Sequence, residues 1–190
     1  MTVAPEATRR HLTPRQVAVV DRLVDAAAEE AREQGYDSMS VRSAAKRAGV
    51  APATAYTYFA SKDHLLAEVM WRRMEALPLA AEVEPDPLAR VTAELRVLGL
   101  FMADDPMLAA ACTTALLGSG SEVRALRLRF GVAVHNRLRS ALGEERQAVL
   151  QGLDLAYSGA MLWGGLGHLP LADIPDTLAD VARQLLVGAP

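Results

Sequence analysis

Residues 41–66 read VRSAAKRAGVAPATAYTYFASKDHLL, and the reading of this stretch decides the fold. Ser40 is a helix cap, opening a short helix from Val41 to about Ala48. Gly49 makes a tight turn, a second short helix runs from Pro52 to about Tyr58, and Ser61 caps a longer third one. Two short helices joined by a glycine turn describe a helix-turn-helix unit, whose second helix enters the major groove of DNA while the first lies across the backbone. Between Ser38 and Lys62 the chain carries Arg42, Lys46, Arg47 and Lys62 and no acid. A local field of one sign steers a polyanion even on a slightly acidic protein.

On the N-terminal side, Thr13-Pro14 is a hydroxyl cap followed by proline at the first helical position. Val17, Val20, Val24, Ala27 and Ala31 then recur at helical spacing, and Gly35 supplies a left-handed stop. Residues 1–12 are expected to be a disordered arm. Two readings stay open for Arg9, Arg10 and Arg15, a minor-groove arm and a plain tail. On the C-terminal side, Leu65, Leu66, Val69, Met70, Met74 and Leu77 form the apolar side of the helix that Ser61 starts. The span from Pro78 to Pro87 holds three prolines and a run of acids, which reads as a joint. Further helices are predicted over 88–103, 107–117, from Val123 to Gly143, over about 145–164 and over 175–187. No strand-like alternation occurs. The fold class is all-α with about nine helices: a helix-turn-helix domain over 1–62 and a larger helical domain over 63–190.

The net charge of −3 conceals an uneven distribution. Residues 1–77 carry eleven Arg and Lys against ten Asp and Glu, and the remainder nine against thirteen. No apolar run approaches the ~18 residues of a membrane span. The N-terminus lacks the apolar stretch of a secretory signal. A single cysteine, Cys112, cannot form an internal disulfide, so a cytoplasmic setting is expected.

The residues of 41–66 go further than their spacing. Ala48-Gly49-Val50 at the turn, Tyr56-x-Tyr58-Phe59 in the second helix and Ser61-Lys62-x-x-Leu65 closely resemble the DNA-binding signature of the TetR family of repressors, with the match covering about residues 15–75. Each element has a physical role beside that resemblance. Val50 and Phe59 should be core. Tyr56 and Tyr58, two apart on a helix, cannot both face inward, so at least one presents its hydroxyl; the resemblance implies a phosphate contact for both. Lys62 sits in a first turn whose free N–H groups attract an anion, and a phosphate contact is favoured over a merely solvated lysine. Ser40 is a cap that the resemblance also places at a phosphate, and Arg42 is a surface charge or a phosphate or base contact. Pro52, Ala53, Thr54 and Thr57 are the expected base readers, small enough for close approach and with threonine methyls to meet thymine methyls. Ala51 departs from the usual hydroxyl cap, and Ala44 from a usual larger aliphatic, which suggests a slightly looser head.

The resemblance implies that the larger domain dimerises and holds an effector, with operator DNA and a second copy of the chain as partners. Its last two long helices would pair across the dimer, where Gly152, Ala156, Gly159 and Ala160 allow close approach; the same stripes could instead fill the subunit's own core. Met102, Met107, Cys112, Phe130, Tyr157, Met161 and Trp163 are the expected pocket lining, although each alone is more often core. Together they favour a small hydrophobic effector. The Asp104-Asp105-Pro106-Met107 break and the glycine-rich end are similar to repressors of steroid and fatty-acid catabolism, which respond to acyl-CoA thioesters or lipophilic molecules. No cofactor or metal is expected, because His11, His64, His135 and His168 stand apart, and Cys112 has no activating partner in sequence. The chain is therefore not expected to be an enzyme. The competing readings are a redox-sensing regulator acting through Cys112 and a helical adaptor that does not bind DNA, which leaves the acid-free stretch unexplained. The residues do not distinguish repression from activation.

Overall fold

The computed structural model describes residues 12–80, 86–143 and 146–188. Among the described residues there are nine α-helices, one 3-10 turn and no strand. Most helix starts have their chemical reason in place. Thr13 accepts the Gln16 N–H while the Gln16 side chain accepts the Thr13 N–H at 2.9 Å, satisfying two orphan donors of α1 (Pro14–Ser38). Ser40 and Ser43 repeat this arrangement at the start of α2 (Val41–Arg47). Ala51 gives α3 (Pro52–Tyr58) no side-chain cap, while Ser61 caps α4 (Lys62–Glu75) by accepting the His64 N–H. Asp86 and Asp105 cap α5 (Pro87–Leu100) and α6 (Pro106–Leu116), each with proline next. Gly143, at φ 72°, ends α7 (Ser121–Leu142). The chain finishes with α8 (Gln147–Gly165), a 3-10 turn at Leu171–Asp173 and α9 (Ile174–Val187).

Gly35 does break α1, with φ 73° and ψ 179°, but the chain regains a helical turn through Ser38 and closes with the Met39 N–H on the Gly35 carbonyl. The stop read from the sequence is therefore a kink. Helices α1, α2 and α3 with the start of α4 form the head, around Leu23, Ala27, Ala45, Ala55, Phe59 and Leu65, all buried. Buried phenylalanines of this kind are worth roughly 3–5 kcal/mol over alanine. Ala44 is fully enclosed in the head.

In the body, α5 packs on α7 and α9, and α8 lies against α6, α7 and α9. Helix α6 also packs on both α1 and α4. Helix α4 thus serves head and body alike, and a boundary at residue 62 separates chain segments rather than packing units. The α4–α5 connection is fastened by a buried pair: Arg137 holds Glu94 and donates to the Leu77 carbonyl at 3.3 Å, and Glu94 accepts the Ala80 N–H at 3.0 Å. Helices α6 and α8 meet closely, since a Cβ on Gly165 would lie 1.9 Å from Thr113 Oγ1. Among the described residues no helix is long and apolar enough to cross a membrane.

Candidate nucleic-acid interface

Helix α3 has two faces. Ala55, and Phe59 just beyond the helix, are buried in the head, whereas Pro52, Ala53, Thr54, Tyr56 and Thr57 are exposed. The turn before it is fixed by Gly49 at φ 64° and by the Val50 N–H on the Ala45 carbonyl at 2.9 Å. Val50 and Tyr58 are partly buried against the core, while Tyr56 is 54% exposed. Of the two tyrosines, Tyr56 is the more exposed and Tyr58 packs partly against the core. The Thr57 hydroxyl donates to the Ala53 carbonyl at 3.1 Å.

The cations divide into exposed and engaged. Arg42 and Lys46 are exposed on α2, and Arg15 is exposed at the start of α1; Arg9, Arg10 and His11 lie outside the described residues. Arg47 lies among three acids of α1, pairing with Glu30 at 2.6 Å, with Glu29 at 3.3 Å and with Glu33. That guanidinium holds the Glu33 carboxyl below its ordinary range. The acid-free stretch is thus partly neutralised from another helix, which no local reading of the sequence could reveal. Lys62 Nζ donates to the Tyr36 carbonyl at 2.9 Å and sits 3.9 Å over the Tyr36 ring. Tyr36 donates to Asp63 at 2.6 Å, and this bond pushes its phenol up to about 12. The structure therefore places Lys62 in a staple between α1 and α4. Ser40 is half-buried and its hydroxyl serves as the α2 cap. The Tyr36–Asp63–Lys62 cluster went unread because its members are 26 and 27 residues apart.

The seven residues expected around an effector do not all face inward. Met102, Cys112, Tyr157 and Met161 are buried and Phe130 is half-buried beside Phe101. Met107 and Trp163, at 53% and 61% exposure, lie on the outside, because α6 and α8 carry small apolar residues on several sides and periodicity alone did not fix which side faces in. Tyr157 spends its hydroxyl on the Leu98 carbonyl, and Cys112 contacts the Leu66 carbonyl at 3.5 Å. Two concavities stand out, and neither is lined by any of the seven. One, of about 400 Å³, opens between α1, α3 and α4 beside Val17, Tyr58, His64 and Arg72. The other, about 520 Å³, lies between the first turn of α6 and the α8–α9 connection, with Ala103, Pro106, Leu166 and Leu171 on its walls. Among the described residues no group of three His, Cys, Asp or Glu is placed to hold a metal ion.

On α8, Gly152 is packed against Leu185 of the same chain, so its small size lets α8 and α9 approach within the subunit. Gly159 faces open space. Leu155, Trp163 and Leu166, at 68%, 61% and 48% exposure, share that outward side.

Residues 23–69 match the family model described as bacterial regulatory proteins, tetR family. An HTH-type transcriptional regulator of Mycobacterium tuberculosis is 40% identical over 188 residues, spanning 97% of this chain and 88% of the relative. The HTH-type transcriptional repressor KstR of Rhodococcus jostii is 36% identical over 98 residues, 50% of this chain and 46% of that protein. A TetR transcriptional regulator from Rhodococcus sp. RHA1 shares the fold with a TM-score of 0.74 at 24% identity, over 93% of this chain and 100% of that one.

Proposed function

The chain belongs to the tetR family of bacterial regulatory proteins, and on that premise we propose that it is a ligand-responsive repressor, acting as a homodimer that a small hydrophobic molecule releases from its operator. The observation that carries the DNA half of this reading is α3 itself. Its outer face consists of short side chains and one exposed tyrosine, over a buried Ala55 and Phe59 that fix its orientation. Such a helix can approach base edges closely, flanked by Arg42 and Lys46 for phosphates. Membership in a family of transcriptional regulators sets catalysis and the adaptor reading aside.

Two-fold symmetry is required if two copies of α3 are to read half-sites a helical turn apart, ~34 Å. The outward apolar side of α8 supports a partner copy there, since exposed Leu155 and Trp163 are unusual on a solvated helix. The effector is proposed to be apolar because Met102, Phe130 and Met161 furnish an apolar, polarisable interior. Entry of a ligand among α5–α8 would shift α6, and α6 rests on α1 and α4. Movement of α4 would then change the separation of the two α3 helices. The coupling is reciprocal: operator weakens ligand binding by the factor with which ligand weakens operator binding.

The test is binding of the purified protein to its own upstream DNA by fluorescence anisotropy, at two salt concentrations and with a panel of lipophilic compounds and acyl-CoA thioesters. Tight binding with a steep salt slope is expected, reduced by about one unit in Arg42→Ala, and released by one compound. Binding to no upstream or genomic fragment at low salt would overturn the reading. Binding that no compound releases would leave a DNA-binding protein and overturn the effector half.

A further inference from the structure

Along the exposed face of α3, residues Pro52, Ala53, Thr54, Tyr56 and Thr57 include no carboxamide, guanidinium or ammonium. The bidentate pairs by which side chains usually tell guanine from adenine are therefore not available from this helix. What the face does offer is methyl groups. Ala53 and Thr57 are four residues apart, so their Cβ atoms stand one above the other about 5–6 Å apart. Against a base-pair rise of ~3.4 Å, that strip is long enough to touch two neighbouring pairs.

The two chemical ends of Thr57 are not equivalent. Its hydroxyl donates to the Ala53 carbonyl at 3.1 Å, a common arrangement for threonine within a helix. The hydroxyl proton is spent inside the helix, and the methyl is the group with no polar commitment. Thymine alone among the bases carries a methyl in the major groove, so an apolar group placed there discriminates it from cytosine without any hydrogen bond.

We infer that Thr57 is a specificity-determining residue that reads a thymine through its methyl group, with its hydroxyl held back by the Ala53 carbonyl. This rests on the reading that α3 enters the major groove of an operator. The readout is apolar contact, so each half-site carries at least one thymine whose 5-methyl matters more than the hydrogen-bonding edge of its pair.

The experiment uses the full chain and a duplex that the unsubstituted protein selects from a random-sequence pool. Each thymine is replaced in turn by deoxyuridine, which removes only the methyl. At one or two positions per half-site, affinity is expected to fall about fourfold, the loss of one buried methyl-sized contact. Thr57→Ser, which keeps the hydroxyl and deletes the methyl, should bind the thymine duplex about fourfold more weakly and become indifferent to uracil at that position. Thr57→Val, which keeps a methyl and deletes the hydroxyl, should retain the discrimination. Circular dichroism and melting confirm that both variants fold; the site is exposed on a short helix, so neither change touches the core. Uracil tolerated at every position overturns the inference, as does discrimination that survives in Thr57→Ser and disappears in Thr57→Val. Selection of no duplex by the unsubstituted protein overturns the DNA-binding reading and the inference together, an outcome distinct from selection followed by indifference to uracil.

Discussion

Asp105, which caps the first turn of α6, also holds the guanidinium of Arg32 on α1. Arg73 on α4 approaches the same carboxylate at 3.5 Å. One buried acid therefore joins three helices, two of which carry the head and one the body. The far end of α6 is also close to the head, where Gly118 packs against Asp63, the partner of Tyr36. These contacts tie both ends of α6 to α1 and α4, and the coupling proposed above would act through them.

Asp105→Asn tests that junction. Asparagine caps a helix as well as aspartate does, so the substitution removes the charge and leaves the cap. Arg32 and Arg73 stay partly in water, with side chains 43% and 27% exposed, which moderates the usual cost of breaking a buried pair. The expected loss is about 2 kcal/mol, with roughly 1 kcal/mol more in Asp105→Ala, where the cap goes too. Denaturant midpoints at unchanged slope measure both. An Asn variant as stable as the parent would mean that the carboxylate contributes nothing net.

How much of this was visible in the sequence follows from how far apart the interacting residues are. Thr13, Ser40 and Ser61 mark helix starts through contacts three residues long, and Gly49 and Gly143 mark turns through their own backbone; these are local and legible. The α2–α3 unit was legible for the same reason, and Pro52, Ala53, Thr54 and Thr57 are exposed on α3 while Tyr58 packs partly inward. Arg47 with Glu30, Lys62 with Tyr36, and Arg32 with Asp105 are separated by 17, 26 and 73 residues, and no local pattern announces such pairs. The effector lining was illegible for a different reason. Met107 and Trp163 sit on helices with apolar or small residues nearly all round, where composition cannot say which side faces the core.

Cys112 is expected to be inert in the folded protein. Burial pushes its thiol up to about 12, and the thiolate rather than the thiol is the reactive form. A disulfide-exchange reagent at pH 8 should modify native protein only as fast as it unfolds, and denatured protein at once. Rapid stoichiometric modification of the native state would restore a redox role for this residue.

His64 gives stability a pH dependence of definite sign. Desolvation lowers its pKa in the fold, against weaker opposing influences from Glu122 and Glu68. In the unfolded chain it titrates near ~6.5. The unfolded state then binds the proton more readily, so this contribution is present above ~6.5 and is lost as pH falls below it. Protonation also removes Nδ1 as acceptor for the Ala60 N–H. In His64→Asn, which offers an uncharged acceptor, the melting temperature should change less between pH 7.5 and 5.5 than in the parent. An equal change in both proteins would assign the dependence to other groups.

The outward side of α8 makes the remaining prediction. Leu155, Gly159, Leu162, Trp163 and Leu166 recur at helical spacing on one stripe, and Leu155 and Trp163 are largely exposed. Burying each large apolar side chain against a partner would contribute roughly 1.5–3 kcal/mol. In a two-fold interface every substitution acts twice, and a charge placed near the axis meets its own copy. Leu155→Asp should therefore convert the protein from twice the chain mass of 20.4 kDa to that mass itself, at micromolar concentration and with unchanged helix content, as read by light scattering. Operator affinity should fall with it, because a lone subunit reads one half-site. A parent protein already at the single-chain mass would remove the dimer from the mechanism, and a Leu155→Asp variant that stays double would move the interface to another face.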